Sequence, residues 1–307
     1  DVYKRQVTAG VATAWLQTMG LRERVAIADL SVASAQRLLD VIESRARAGA
    51  ANPLELAQQR GVLAAQMRAR AAIRQQAEDS QTTLAVLLGR NPSLLSLAVT
   101  DLKSLQAPTT GAGLPADLLT RRPDIARAEA QLARADANVI AARAAMLPRI
   151  TLGGDMTAAS NRVSSVFDNP VYSLAAGLAA PIFNAGRLAA GRDLALAQRE
   201  ELLANYRRAI VAAFGDVETA FNAVAGIDAQ RTAQAEELRQ AQRAFNLAES
   251  RYRAGAETSL TLLDAQRTLY AAQDAAAQLR TLRLQASVSL YKALGGGWQS
   301  TVAAPQG

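Results

Sequence analysis

Cysteine and histidine are both missing from the 307 residues. Without them the chain has no disulfide, no zinc site of the usual Cys/His kind, no Cys or His nucleophile or base, and no His-dependent triad. Lysine is scarce, occurring only as Lys4, Lys103 and Lys292. No grouping of carboxylates, Ser or Lys resembles an enzyme site, so the chain reads as a non-enzyme without cofactor or metal. No Gly-Lys-Ser/Thr phosphate loop occurs, which removes ATP binding. The methionines, at 19, 67, 146 and 156, are too scattered for a soft-metal path. Aromatic residues make up 4% of the chain. Arginine supplies 31 of the 34 basic residues against 27 acidic ones, for a net charge of +7. A nucleic-acid surface would gather those arginines and interleave aromatics. Here they are spread beside acids, as in Arg22-Glu23-Arg24 and Arg199-Glu200-Glu201, the pattern of solvated helix faces, and no nucleic-acid partner is expected. No run reaches the ~18–20 apolar residues of a transmembrane helix, and no signal-peptide pattern opens the chain.

What is abundant is alanine, 69 residues of it, within a chain that is 50% hydrophobic. Alanine offers little area to a globular core and favours long helices in close lateral contact. Proline punctuates the sequence at 53, 92, 108, 115, 123, 148, 170, 181 and 305. Between these breaks lie helical runs at about 7–47, 54–88, 123–146, 186–252 and 259–294. The run Gly186–Tyr252 alone would be about 100 Å long at ~1.5 Å per residue, so it belongs to an elongated object. Apolar residues step by three and four along it, through Ile210, Phe214, Val217, Phe221 and Val224, then Leu238, Ala241, Phe245, Ala248 and Tyr252. Leu279, Leu282, Ala286, Ser289 and Ala293 continue the pattern on the last helix. These are coiled-coil seams with small knobs. The helical pattern is already under way at Val7–Leu16, so an upstream part is expected to be missing and residues 1–6 to be foreign to the native protein.

Two glycine-containing segments with partial alternation, Arg149–Thr157 and Tyr172–Ala179, read as strands joined by a loop with a short apolar stretch at Val163–Phe167. Two strands alone are marginal in water and must pair outside this chain; alternation of this length suits a transmembrane barrel wall.

The chain also repeats. Ser44-Arg45-Ala46-Arg47-Ala48-Gly49-Ala50 returns as Ser250-Arg251-Tyr252-Arg253-Ala254-Gly255-Ala256, with one mismatch in the heptapeptide. Leu84, Leu88 and Gly89 match Leu290, Leu294 and Gly295 at the same offset. Each copy is a long helix, an Arg-x-Gly turn and a return helix. Gly49 and Gly255 supply the left-handed residue that ends a helix, and the arginines before them suit the negative end of its dipole. From the residues alone, a water-soluble coiled-coil scaffold remains the alternative to a membrane-associated assembly.

The segments Leu114-Pro115-Ala116-Asp117-Leu118-Leu119-Thr120-Arg121-Arg122-Pro123-Asp124-Ile125 and Ala141–Ile150 strongly resemble the TolC-like outer-membrane efflux family, and its NodT-type lipoproteins that work with RND pumps in particular. Pro181–Leu188 resembles that branch's strand-to-helix junction, Tyr252–Gly255 with Leu262–Arg267 its periplasmic tip, and Leu290–Trp298 its C-terminal closure. The resemblance runs from about Val7 to Trp298. It implies a mainly α fold with a small β part: long antiparallel coiled-coil helices in a trimeric α-barrel, with one strand pair given to a shared transmembrane β-barrel. It further implies a homotrimer in the outer membrane of a Gram-negative bacterium, touching outer-membrane lipid, with helices reaching a periplasmic adaptor and an inner-membrane RND transporter. Conduction would be passive. The lipidated cysteine, first helix and first strand pair of the family would lie upstream. On this reading, residues 1–92 are the later part of repeat one, with its tip turn near 47–53. An equatorial linker follows at 93–122, then repeat two at 123–298 and a tail at 299–307. Repeat two would hold the strand pair at about 149–180, a long helix at 186–252, a tip turn at 253–258 and a return helix at 259–294. Each barrel helix would bury two narrow stripes, one per neighbour.

By match of motif, the periplasmic gate would be formed or held by Tyr252, Leu260, Asp264 and Arg267, with Glu55 as an acidic partner from the first hairpin. Threefold symmetry would turn Asp264 into a ring of carboxylates that attracts cations, and Arg267, one turn on, would neutralise or latch it. Arg47, Gly49, Leu54, Arg253 and Gly255, together with Leu260, would form the surface on which the adaptor docks.

Overall fold

Proline and glycine set the ends of the helices. In the computed structural model, which describes residues 2–49, 51–98, 102–105, 121–158, 167–168 and 170–296, the order is α1 (Val2–Arg47), α2 (Pro53–Leu87), α3 (Pro123–Ala144), β1 (Arg149–Thr157), β2 (Val171–Ala179), α4 (Arg187–Arg253) and α5 (Ser259–Ala293). Short 3-10 turns occupy Pro92–Leu94 and Leu102–Ser104. Helix and strand limits fall within a few residues of those expected, except that α1 starts at Val2. The Val163–Phe167 stretch up to residue 166, the Leu114–Thr120 part of the linker motif, Trp298 and the 299–307 tail lie outside the described residues.

Two compact units emerge: residues 1–123 with 213–307, and residues 124–212. In the first, α1 packs against both α2 and α5, and α5 also packs against α4, as Ala220 of α4 clusters with Leu290 and Ala293 of α5. The α1–α5 pair is antiparallel, with Arg24 bidentate on Asp274 at 2.6 and 2.9 Å, Glu23 paired with Arg280, and Gln285 donating to Gln17 at 3.0 Å. Arg283 of α5 reaches Asp228 of α4 at 2.7 Å. Leu97, Leu102 and Leu105 pack on Trp15, Leu16 and Met19 of α1 and on Leu284 and Val288 of α5. In the second unit α3 packs on the first part of α4, with Ala135, Val139 and Ala195 buried and Asp136 bound to Arg199 at 2.5 Å.

Burial along the helices follows thin stripes. Of the 67 residues of α4, the buried ones are Ala195, Ala213, Ala220, Ala241, Phe245, Ala248 and Tyr252. The seam from Leu238 to Tyr252 is the one expected. Farther back, Val217, Phe221 and Val224 of the expected seam pack with Ala220 against Leu290, Ala293 and Leu294 of α5, and Phe214 is exposed. On α5, Ala286 and Ala293 are buried as expected, but Leu282 and Ser289 are exposed. Because α5 lies between two helices, it buries one stripe through Ala277, Thr281 and Leu284 and another through Ala286, Leu290 and Ala293. By composition, one window of α4 is long and apolar enough to cross a membrane, and little of it is buried.

Close approach is tightest where Gly20 of α1 meets Thr281 of α5; a Cβ added at Gly20 would lie 2.1 Å from Thr281 Oγ1 and 3.0 Å from its Cβ. Arg122, 4% exposed, ties the entry to α3 into the first unit: its Nη1 donates to Ala213 O and Ala293 O, each at 3.3 Å, and its Nη2 to Asp216 Oδ2 at 2.8 Å. The cation thus sits at the C-terminal, electronegative end of α5.

Substituting Gly20→Ala is expected to cost about 1–3 kcal/mol by overpacking. Thr281→Ala, which removes the two nearest atoms, should restore most of the loss in the double variant. Thermal unfolding followed by helical circular dichroism checks this; an unchanged midpoint for Gly20→Ala would show that the helices do not meet there.

Candidate functional site at the helical tips

The two repeats build the same turn twice. At the end of α1, the amides of Ala48 and Gly49 donate to Ser44 O and Ala46 O at 3.2 and 3.0 Å; at the end of α4, those of Ala254 and Gly255 donate to Ser250 O and Tyr252 O at 3.1 and 3.0 Å. Gly49 and Gly255 have φ of 74° and 75°, left-handed values that a side chain would strain. The return helices are then capped. Asn52 Oδ1 accepts from Glu55 N at 2.9 Å with Pro53 in the first turn, and Thr258 Oγ1 accepts from Thr261 N at 3.4 Å. Both return helices are 35 residues long.

Tyr252 is the centre of the tip. It is 2% exposed, enclosed in an apolar cluster with Leu38 and Ile42 of α1, Phe245 and Ala248 of α4, and Leu262 of α5. Its hydroxyl donates to Glu55 Oε2 of α2 at 3.0 Å. Two gate residues named from sequence, on different hairpins and far apart in the chain, are therefore in contact. Burial, and then the adjacent Glu55 carboxylate, push the Tyr252 phenol up to about 12.

The other named residues lie elsewhere on the tip surface. Leu54 and Leu260 are 63% and 59% exposed. Asp264 and Arg267 are exposed, and among the described residues no ion pair joins them; Asp264 O accepts from Thr268 Oγ1 at 2.9 Å. Arg47 is exposed and bonds within its own helix, to Glu43 O and Ser44 Oγ, each at 3.4 Å. Arg253 is ion-paired with Glu249 at 2.6 Å. One participant was not among the named residues. Arg45 Nη1 donates to Tyr252 O at 2.7 Å, with its guanidinium carbon 4.7 Å from the centroid of the Tyr252 ring. Arg45 was visible as a repeat residue matching Arg251, but nothing in the repeat distinguishes an arginine that crosses to the other hairpin from one that stays in its own turn.

The strand pair is a second feature with a surface to offer. In the antiparallel register Arg149↔Ala179 to Thr157↔Val171, facing residues share one side of the sheet. One side carries Ile150, Leu152, Gly154 and Met156 opposite Leu178, Ala176, Leu174 and Tyr172. The other carries Arg149, Thr151, Gly153, Asp155 and Thr157 opposite Ala179, Gly177, Ala175, Ser173 and Val171, with Ser173 Oγ donating to Asp155 Oδ1 at 2.5 Å. All residues of both nine-residue strands are exposed. A length of nine residues matches the ~9–11 that span a bilayer as a tilted strand.

A family model described as outer membrane efflux protein matches residues 114–296. The pyoverdine export outer membrane protein OpmQ of Pseudomonas aeruginosa is 54% identical over 292 residues, covering 95% of this chain and 62% of that protein. Its namesake in Pseudomonas putida is 50% identical over 297 residues, covering 97% and 63%. A crystal structure of a membrane protein from Pseudomonas aeruginosa aligns with a TM-score of 0.87 at 30% identity, covering 97% of this chain and 67% of that one. The chain spans about three fifths of the length of the curated relatives it matches.

The raised value means the tie to Glu55 is made by the protonated phenol, held in full below the ordinary value near 10 and lost as pH climbs through about 12. In an absorbance titration of tyrosinate, a component near pH 12 is expected, and Tyr252→Phe should remove that component while leaving the earlier ones. A wild-type titration finished well before pH 12 would contradict the buried tie.

Proposed function

Because the chain belongs to the outer membrane efflux protein family, we propose that it is the greater part of an outer-membrane channel protomer that passively conducts solute delivered by a periplasmic adaptor and an inner-membrane RND transporter. The protomer acts as a homotrimer. Its strand pair joins others in one closed β-barrel, and its helices are staves of a water-filled periplasmic tunnel. In this assignment residues 1–92 and 123–298 are the two repeats, 93–122 the equatorial linker and 299–307 the tail.

The observation that carries the reading is the register of the strand pair. It sorts nearly every large apolar strand residue onto one side and the charged and hydroxyl residues onto the other, which is the partition between lipid and lumen in a membrane barrel. An isolated hairpin with every residue exposed has no reason to persist in water; closure with further strands and lipid supplies both missing contacts. The helices support the same reading, since α4 buries little beyond alanines and so keeps a face for another neighbour.

Tyr252 and Glu55 are the gate, holding the second hairpin to the first in the closed tunnel. Asp264, Arg267 and Leu260 face the threefold axis and act between protomers, where Asp264 forms a carboxylate ring. Arg47, Gly49, Leu54, Arg253 and Gly255 receive the adaptor. On the strength of the two relatives named for pyoverdine export, pyoverdine-type molecules are the cargo we infer.

Two measurements test this. Leu174→Arg, on the apolar side of the hairpin, is expected to cost about 2–4 kcal/mol per protomer in a bilayer midplane and to remove the full-length protein from outer-membrane fractions, whereas Thr151→Arg, on the other side, leaves it there. Equal fractionation of both variants would overturn the membrane reading. In planar bilayers, Asp264→Ala combined with Arg267→Ala should raise the conductance of the closed trimer; an unaltered, tightly shut channel would remove those two residues from the gate.

A further inference from the structure

The two tip turns share Ser-Arg-x-Arg-Ala-Gly, yet their first arginines point to different partners. Arg251 stays in its own turn, with Nε 3.4 Å from Glu257 Oε2 and Nη2 donating to Ala256 O at 3.5 Å. Arg45 leaves its own turn and grips the end of the other hairpin, through Tyr252 O at 2.7 Å and across the Tyr252 ring at 4.7 Å. The residue between the arginines explains the asymmetry. It is Tyr252 in the second turn and Ala46 in the first, so only the second turn offers a ring for a guanidinium to cover.

We propose that Arg45 is a positioning residue for closure of the tip: it fixes the main chain and ring of Tyr252 from α1, so that the phenol is presented to Glu55 on α2. The inference rests on the gate reading above and adds a second lock of different chemistry to it. One arm is a hydroxyl on a carboxylate. The other is a cation on a helix-terminal carbonyl and on the face of an aromatic ring, both favourable to positive charge. The carbonyl that Arg45 holds also accepts from Gly255 N at 3.0 Å, so the same contact braces the left-handed turn. Since neither the carbonyl nor the ring face depends on the hydroxyl, the Arg45 arm persists when the Glu55 arm is cut. The first hairpin thereby holds the second at two points, and opening must release both.

The test is closed-state conductance of the full-length protein in planar bilayers, with thermal unfolding of the same samples. Tyr252→Phe cuts the hydroxyl arm and Glu55→Gln weakens it by taking away the acceptor's charge; Arg45→Leu cuts the other and keeps apolar bulk. Each single change is expected to raise closed-state conductance roughly fivefold to tenfold, the scale of one charge-assisted hydrogen bond. Arg45→Leu with Tyr252→Phe should exceed either alone. Arg45→Lys, which keeps the charge but not the flat guanidinium, should fall between wild type and Arg45→Leu while its unfolding midpoint stays at the wild-type value; it also serves if Arg45→Leu does not assemble. If Glu55→Gln leaks and both Arg45 variants stay as tight as wild type, the role given to Arg45 is wrong and the gate stands. If none of the variants leaks, the gate reading falls together with it.

Discussion

Contact between alanine-width stripes is the constraint on which this structure depends. A methyl group buries little area, so no single helix–helix contact is strong. It does allow two backbones to run close together over many turns, and the small gains add along the length. The arrangement also limits each contact to a narrow strip. In α4 the buried residues are mostly alanines, with Phe221 partly buried against α5 and Phe214 turned outward. Helices packed in this way keep most of their circumference for other neighbours and for water, which is what a stave requires and a globular core forbids.

Stripes of alanine are poor at fixing register, since one methyl fits a groove about as well as the next. Charged and polar rungs do that work. Arg24 on Asp274 sets α1 against α5, Arg283 on Asp228 sets α5 against α4, and Arg199 on Asp136 sets α3 against the start of α4. Arg122 secures the entry to α3 by binding carbonyls of both α4 and α5 as well as Asp216. Each is a guanidinium on a carboxylate, a pairing with directional hydrogen bonds that a lysine would not reproduce. The wealth of arginine and the scarcity of lysine in the composition follow from this need, and so does the charge pattern that had argued against a nucleic-acid surface.

At the tips the same logic is concentrated. The apolar cluster around Tyr252 closes the ends of the hairpins together, and polar contacts choose which hairpin meets which. Tyr252 and an acidic partner at Glu55 were each expected from motif, and the packing joins the two; both lie at turns whose glycines and caps were plain in the repeat. Asp264 and Arg267 were expected to act as a ring between protomers, and in the single chain both are exposed with no ion pair between them among the described residues. A helix-terminal arginine before glycine, as Arg45 is, has an ordinary explanation as a dipole partner, and its reach to the opposite hairpin is a fact of packing. The seams show the same boundary. A period of three and four marks Phe214 as readily as Val217, Phe221 and Val224, yet Phe214 is exposed while the other three pack on α5, and only the position of the neighbouring helix decides that.

Local chemistry therefore settled from the amino-acid order everything with a short-range cause: where prolines and glycines end helices, the doubled tip turn, the strand pair and its length, and the exclusion of cysteine and histidine chemistry. Tertiary structure decided what depends on distance between segments remote in the chain: which of two adjacent stripes forms a seam, which arginine crosses from one hairpin to the other, and how the strand register sorts apolar from polar residues onto opposite sides. The reason is physical. Backbone conformation is governed by neighbours a few residues away, whereas the choice among near-equivalent small-residue contacts is made only when two helices come close enough for a single methyl or ring to matter.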